Sequence, residues 1–445
     1  MTTTRPRQLH LNTNITGVGR HPAGWRTLGN PRSIIDLNFF KEIAATAERG
    51  KLDAVFLSDT LSLRNHAEGP SQALEPTVLL TALASATQHV GLIATASTTF
   101  NDPFNLARRF ASVDHLSGGR IAFNAVTTYD THAAANFSHE IPLSTEERYA
   151  RAQEFVEVVT KLWDSWEDGA FVADRSSGRY TDPSRVHAIE HRGKYFSVRG
   201  PLSVPRSPQG RPVLVQAGSS EGGRALAARF ADAVFTAQTT LPTAQAFYAE
   251  MKDRVRAHGR DPDHFLLLPG LYPVVGGTER EARERKAELD ALLDTDREIA
   301  RLAGALGLAP DDLSIDAPLP YDLIGKVARS DLPRGFIDST VALAKSESLT
   351  VRDLLDRNPG AHRMIVGTPE QIADDIEQWF EARGADGFNL NADVFPSGLA
   401  AFVDHVVPIL QRKGIFRRDY EGTTLRDHLG LPRPASQYAS SAHAA

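Results

Sequence analysis

The sequence predicts an α/β protein of the TIM (β/α)8 barrel class, and two observations carry that prediction. Short β-branched and apolar runs recur eight times, with amphipathic helical segments between them. Most of these runs are continuously apolar, as expected where a parallel sheet is covered on both faces. A doubly wound open sheet is the competing architecture, and eight units at even spacing favour the barrel.

Gln8–Asn14 is the first run, and Asp36–Arg49 is the helix after it. That helix carries Phe39, Phe40, Ile43 and Ala47 on one side, with Gly50 as its stop. Ala54–Asp59 follows, and Glu75-Pro76 opens the next helix, with proline where the first turn tolerates it. Val90–Ala96 precedes Asn101-Asp102-Pro103, which opens Phe104–Leu116 in the same way. Ile121–Thr127 leads to a long helix from about Glu146 to Glu167, where Tyr149, Phe155, Val158, Val159 and Leu162 recur at helical spacing. Val213–Gly218 ends in Ser219-Ser220 before the helix Glu221–Phe230. Ala233–Gln238 and Leu266–Gly276 are the sixth and seventh runs. Thr368-Pro369-Glu370-Gln371 forms a capping box for Ile372–Arg383, ahead of the last run, Gly387–Asp393.

Three stretches exceed a minimal barrel: 128–145 after the fourth strand, 168–211 before the fifth, and 278–366 between the seventh and eighth. Such insertions usually build the rim of a barrel's catalytic face. We therefore expect one domain over residues 1–430, and a disordered tail over 431–445, which is rich in Pro, Ser and Ala.

Composition narrows the chemistry. There are 49 Lys+Arg and 55 Asp+Glu, so the net charge of 49 − 55 = −6 gives no reason to expect nucleic acid. The chain has no cysteine, which excludes disulfides, thiolate metal sites and a cysteine nucleophile. No apolar run approaches the ~18 residues of a membrane helix, and the start, Met1-Thr-Thr-Thr-Arg, has no apolar core of a secretory signal. The expectation is a cytoplasmic enzyme whose difficult chemistry comes from Ser, His, Asp, Glu and Tyr side chains or from a bound cofactor.

Several motifs can be dismissed. Gly17-Val-Gly19-Arg-His-Pro22 has proline where a dinucleotide fingerprint needs its third glycine. There is no Walker A segment and no His-Glu-x-x-His, and the seven-residue spacing of His132 and His139 is not a metal spacing, so no metal site is expected. The strongest positive signal is Val213-Leu-Val-Gln-Ala-Gly-Ser-Ser-Glu-Gly-Gly-Arg224. A helix start after a strand offers free N–H groups and the positive dipole end, which suit a phosphate. Ser219 and Ser220 add hydroxyls, and Gly218 permits close approach. The same letters also read as a plain serine N-cap or as Gly-x-Ser-x-Gly, a nucleophile elbow in which Ser220 would work with Asp393 and His405. Polar residues close other strands: Asp59, Thr95 to Thr99, Asn124, and the cluster Gly19-Arg20-His21-Pro22. In a barrel these positions face the catalytic mouth.

Taken in order, the segments carry a resemblance. Gly19-Arg-His-Pro-Ala-Gly-Trp-Arg26, Leu52-Asp-Ala-Val-Phe-Leu-Ser-Asp59 and Ala94-Thr-Ala-Ser-Thr-Thr-Phe-Asn-Asp-Pro103 open the series. Asp114-His-Leu-Ser-Gly-Gly-Arg120, Glu147-Arg-Tyr149, Leu162-Trp-Asp-Ser-Trp-Glu167 and Gly193-Lys-Tyr-Phe-Ser-Val-Arg-Gly-Pro-Leu202 follow. Gln216-Ala-Gly-Ser-Ser-Glu221, Gly367-Thr-Pro-Glu370 and Ala385-Asp-Gly-Phe-Asn-Leu390 complete it. Over residues 8 to 415 the chain resembles the bacterial-luciferase-like flavin monooxygenases, in the branch of nitrilotriacetate, dibenzothiophene-sulfone and pristinamycin-synthase monooxygenases.

The resemblance implies an FMN-dependent monooxygenase, the oxygenase component of a two-component system. An NAD(P)H-dependent flavin reductase would supply reduced FMN, and a flavin hydroperoxide would oxygenate a small organic substrate at a C–N, C–S or C–H bond. Relatives commonly form homodimers or homotetramers. The resemblance places the flavin phosphate at Ser219 and Ser220 with Tyr149, and lines the flavin with Asp59, Asn124 and Thr95, with Ser97 or Thr98 as alternatives for the strand-3 role. Relatives often carry histidine four residues before that tyrosine; here Thr145 offers a hydroxyl instead of an imidazole, so either phosphate binding is weakened or Arg148 compensates. Asp331-Leu-Pro-Arg-Gly-Phe-Ile-Asp338 also departs from the family pattern, near the expected substrate. His21 is the candidate for steering a proton or a substrate group. The alternatives are a deazaflavin-dependent oxidoreductase on the same fold and the Ser220 hydrolase.

Overall fold

The computed structural model describes residues 7–63, 69–70, 74–138, 143–218, 220–324, 334–357 and 362–439. Its centre is a closed barrel of eight parallel strands: β1 (His10–Ile15), β2 (Ala54–Leu57), β3 (Gly91–Ser97), β4 (Ile121–Val126), β5 (Val213–Ala217), β6 (Ala233–Thr236), β7 (Leu266–Val275) and β8 (Gly387–Leu390). Successive strands pair in chain order, and β8 pairs back onto β1 with Gly387 opposite His10, which closes the ring. All eight predicted runs are therefore barrel strands.

The period of two along each strand sorts the side chains. Ala54, Phe56, Ile93, Ala122, Val213, Val215, Ala233, Phe235, Leu266 and Leu268 fill the interior as one cluster. Phe56 and Phe235 meet across it, with ring centroids 4.7 Å apart. The alternate residues Leu11, Val55, Leu57, Leu92, Phe123 and Phe388 face outward, packed with Phe40, Ile43, Leu80, Phe110 and Phe155 of the surrounding helices. Full burial of each such side chain contributes roughly 1.5–3 kcal/mol.

The helices start where their caps dictate. Asp36 accepts from the N–H of Asn38 to begin Leu37–Arg49, and Asp102 accepts from Phe104 and Asn105 to begin Pro103–Leu116. Thr368 and Gln371 form the reciprocal box that opens Pro369–Glu381. The long helix runs Thr145–Asp164 and ends three residues before the Glu167 expected from its apolar spacing. Among the described residues no helix is long and apolar enough to cross a membrane.

Three features depart from the sequence reading. First, residues 363–367 of the large insertion form a ninth parallel strand, which pairs with the outer half of β7, Leu271 opposite Arg363. β7 has ten residues, so it projects beyond its barrel neighbours and leaves that half free to pair. Second, the 168–211 stretch contains two antiparallel hairpins, Phe171–Asp174 with Arg179–Thr181 and His191–Arg192 with Ser197–Val198. Third, the tail predicted as disordered is packed through Ala439. Leu425, Leu429 and Leu431 plug the bottom of the barrel interior. Arg433 makes two 2.7 Å bonds to Asp168, Ser436 Oγ donates to the carbonyl of Asp164 at 2.8 Å, and Tyr438 stacks on His187. The tail's partners lie at the end of the long helix and in the hairpin insertion, so its local composition could not reveal them.

Candidate active site

The mouth of the barrel is polar because the inward registers of β1, β3, β4 and β8 end in polar residues. Thr95 continues the inward face of Ile93, and Asn124 that of Ala122. They stand opposite each other, and Asn124 Nδ2 donates to Thr95 Oγ1 at 2.9 Å. On the far wall Asn14 Nδ2 donates to Asn391 Oδ1 at 3.0 Å. The carbonyl oxygens of Asn12, Asn14, Asn124 and Asn389 are all buried without a hydrogen-bond partner. Unpaired buried acceptors are costly, so the lining is suited to a ligand that brings its own N–H or O–H donors. These strand-embedded asparagines, other than Asn124, were missed in the sequence; the alternation that places Leu11 outward was the available signal.

Asp59 closes β2 at the same mouth. Burial, and next the Glu75 carboxylate, push its carboxyl up to about 6, against the opposing pull of the Thr60 backbone bond and Arg109. His362, at the end of the large insertion, fills the space over Gly270 of β7. Burial, with Arg20 next, brings its imidazole down to about 3, so it is neutral at pH 7.

At the end of β5 the chain turns through Gly218, whose φ of +142° favours glycine, into the helix Glu221–Phe230. Ser220 is the N-cap, with Oγ accepting from the N–H of Gly223 at 3.3 Å. The same Oγ lies 2.8 Å from the hydroxyl of Tyr149. Gly222 has no side chain because the Tyr149 ring occupies that space; a Cβ there would overlap it. Gln216 is buried beside this turn, with Nε2 donating to the carbonyl of Ala217 and Oε1 unpartnered. Glu221 opens the helix, but Arg254 grips its carboxylate with bonds of 2.7 and 2.8 Å. One turn before Tyr149, Thr145 Oγ1 accepts from Arg148 at 2.9 Å. Ser219 lies outside the described residues, as do residues 331–333 of the atypical segment and His139.

The remaining candidates have other partners. The Thr98 hydroxyl donates to the carbonyl of Val126 at 3.2 Å, which stitches β3 to β4. His21 has both ring nitrogens engaged: Nδ1 accepts from the N–H of Ala23 at 3.2 Å, and Nε2 meets Asp290 Oδ1 at 3.0 Å. The hydrolase triad is not assembled. Asp393 is held by Arg285 at 2.5 and 3.1 Å, His405 is exposed in the helix after β8, and Ser220 contacts Tyr149. The elbow reading of Ser220 is corrected: its hydroxyl caps the helix and meets Tyr149, and neither Asp393 nor His405 is its partner.

A parallel eight-stranded barrel with a polar mouth and an anion-ready helix start at its fifth strand defines a cofactor-using barrel enzyme. Residues 18–387 match the family model for luciferase-like monooxygenases, and the chain belongs to that family. It is 44% identical to N-acetyl-S-(2-succino)cysteine monooxygenase of Bacillus subtilis (strain 168), covering 98% of this chain and 100% of that protein. It is 45% identical to nitrilotriacetate monooxygenase component A of Aminobacter aminovorans, covering 97% and 98%. The solved structure of EDTA monooxygenase from Chelativorans sp. BNC1 superposes with a TM-score of 0.80 at 39% identity, covering 96% of this chain and 99% of that one. The protein is thus a monooxygenase of the reduced-flavin type.

Proposed function

We propose that the chain is the FMN-specific oxygenase of a two-component system, supplied with reduced FMN by a separate NAD(P)H-dependent flavin reductase. The observation that carries this is the Tyr149–Ser220 pair at a glycine-bearing helix start on the rim of a mouth lined by orphaned amide oxygens. Tyr149 and Ser220 hydroxyls, with the first-turn N–H groups and Ser219, hold the phosphate of a mononucleotide. Thr95, Asn124 and Asp59 would line and orient the ring system of the flavin. When bound, reduced FMN supplies the electrons with which molecular oxygen is split between the substrate and water.

The protein groups position and exclude water. Arg285–Asp393 and His21–Asp290 tie the helix Glu279–Asp290 over the mouth, and the Thr239 hydroxyl donates to the carbonyl of Ser339 at 3.3 Å. The substrate class is a small organic molecule oxidised at a C–N, C–S or C–H bond. We read residues 1–430, with the segment packed on them through Ala439, as one domain acting in the cytoplasm as a homodimer or homotetramer.

Anaerobic titration with reduced FMN, then rapid mixing with oxygenated buffer, tests the reading. Saturable binding and flavin reoxidation slower than in buffer are expected. No saturable binding, together with reoxidation at the rate of free reduced FMN, sinks it.

A further inference from the structure

Around the helix start after β5, arginines are paired with carboxylates. Arg224 pairs with Glu250, Arg229 with Glu157, and Arg254 with both Glu221 and Glu250. Among the described residues Arg148 has no such partner. Its guanidinium is held by Thr145 Oγ1 at 2.9 Å and lies over the Tyr129 ring, 5.8 Å from the centroid. Its Nε is buried with no hydrogen-bond partner. The carboxylate nearest in sequence, Glu147, is turned into the capping box with Ser144. A half-buried cation without a counter-charge is costly unless a ligand supplies one.

Two further observations indicate what that ligand is. Tyr149 reaches Ser220 at the helix start, and Thr145, which holds Arg148, lies one turn before both Arg148 and Tyr149, so it neighbours the two alike on the helix surface. Glu221, the acidic group that would repel an anion there, is neutralised by Arg254. Gln216 is 3% exposed, and its unpartnered Oε1 belongs to a side chain lying against the turn, with Nε2 3.3 Å from the Cβ position of Gly218. An amide acceptor beside anion donors fits a polyol phosphate, whose hydroxyls donate where its phosphate accepts.

We propose that Arg148, oriented by Thr145, is the charge-selecting residue of this subsite, and that it sets the preference for a phosphorylated flavin over riboflavin. The inference rests on the reading that this helix start holds the FMN phosphate. Charge-assisted bonds to phosphate are roughly twice as strong as neutral ones, and the planar guanidinium offers two of them in parallel.

The test is anaerobic equilibrium dialysis of the full chain against reduced FMN and, separately, reduced riboflavin. Wild type should prefer reduced FMN, with an affinity that falls as salt rises. Arg148→Gln should lose about 10- to 100-fold in FMN affinity, with riboflavin affinity changed less than about twofold and a flatter salt dependence. Arg148→Lys should keep part of the preference. Thr145→Val, which frees the guanidinium without removing it, should give an intermediate loss and guards against a misfolded glutamine variant. An unchanged FMN-to-riboflavin ratio in Arg148→Gln and Thr145→Val, while wild type still binds FMN, overturns the role of Arg148 alone. Binding of neither flavin by wild type overturns the cofactor reading, and this inference with it.

Discussion

The hydroxyl of Tyr149 stands 2.8 Å from Oγ of Ser220, across 71 residues of sequence. The pair joins the long helix after β4 to the helix start after β5, and it aims two hydroxyls at one point. Removing either should weaken the anion site without removing a nucleophile. We predict that Ser220→Ala loses roughly 1.5–3 kcal/mol of reduced-FMN binding, plus about 1 kcal/mol of stability from the lost cap. Tyr149→Phe should lose the same order of affinity with little change in stability. Dialysis and thermal melts check both, and covalent labelling of Ser220 by a serine-directed phosphonate would contradict the assignment.

Gly222 gives a sharper version of the same test. Glycine to alanine inside a helix normally stabilises by about 1 kcal/mol. Here a Cβ would overlap the Tyr149 ring, so the tyrosine must leave. Gly222→Ala should therefore weaken reduced-FMN binding at least as much as Tyr149→Phe. A variant that melts higher than wild type and binds reduced FMN normally would show that the ring is not needed at this place.

Most of the barrel was legible because its rules are local. Continuous apolar runs identify strands buried on both faces, and Asp36, Asp102 and Thr368 announce their helices by cap chemistry. The strand-end rule also reached Thr95 and Asn124, which the structure pairs by a hydrogen bond. What could not be read is non-local. Nothing near Thr98 says that its hydroxyl bonds back to Val126 across the strand pair. The partner of His21 is 269 residues away, and the tail is ordered by Asp164 and Asp168 on the other side of the chain. The ninth strand was absorbed into an insertion because a short run beside an over-long β7 carries no independent signal.

Asp59 should give the mouth a pH signature. Burial and Glu75 raise its folded value to about 6 from an unfolded value near 3.8. Between those values the folded state holds a proton that the unfolded state has released. The stabilisation is therefore complete below the unfolded value and is lost as pH rises through about 6. In the flavin-free protein, Asp59→Asn should melt close to wild type near pH 3.5, below the unfolded value, and above it at pH 8. An equal difference at both pH values would show that Asp59 does not titrate in this window.

The last prediction separates two roles for His21, a group that steers a proton and a latch. Nδ1 accepts from the N–H of Ala23, so the ring proton sits on Nε2 and donates to Asp290. Against the opposing effect of burial, this bond and the Lys286 ammonium hold the Asp290 carboxyl below its usual range, so it stays ionised. A charge-assisted bond of this kind contributes roughly 1.5–3 kcal/mol. Lost from His21→Ala, it should speed amide exchange in residues 279–306 by about 10- to 100-fold while the barrel strands keep their protection. His21→Gln retains an Nε2 donor for Asp290 and should restore slow exchange and turnover together. If His21→Gln instead protects the segment but leaves the enzyme as slow as His21→Ala, the imidazole itself serves the reaction and the latch is not its main role.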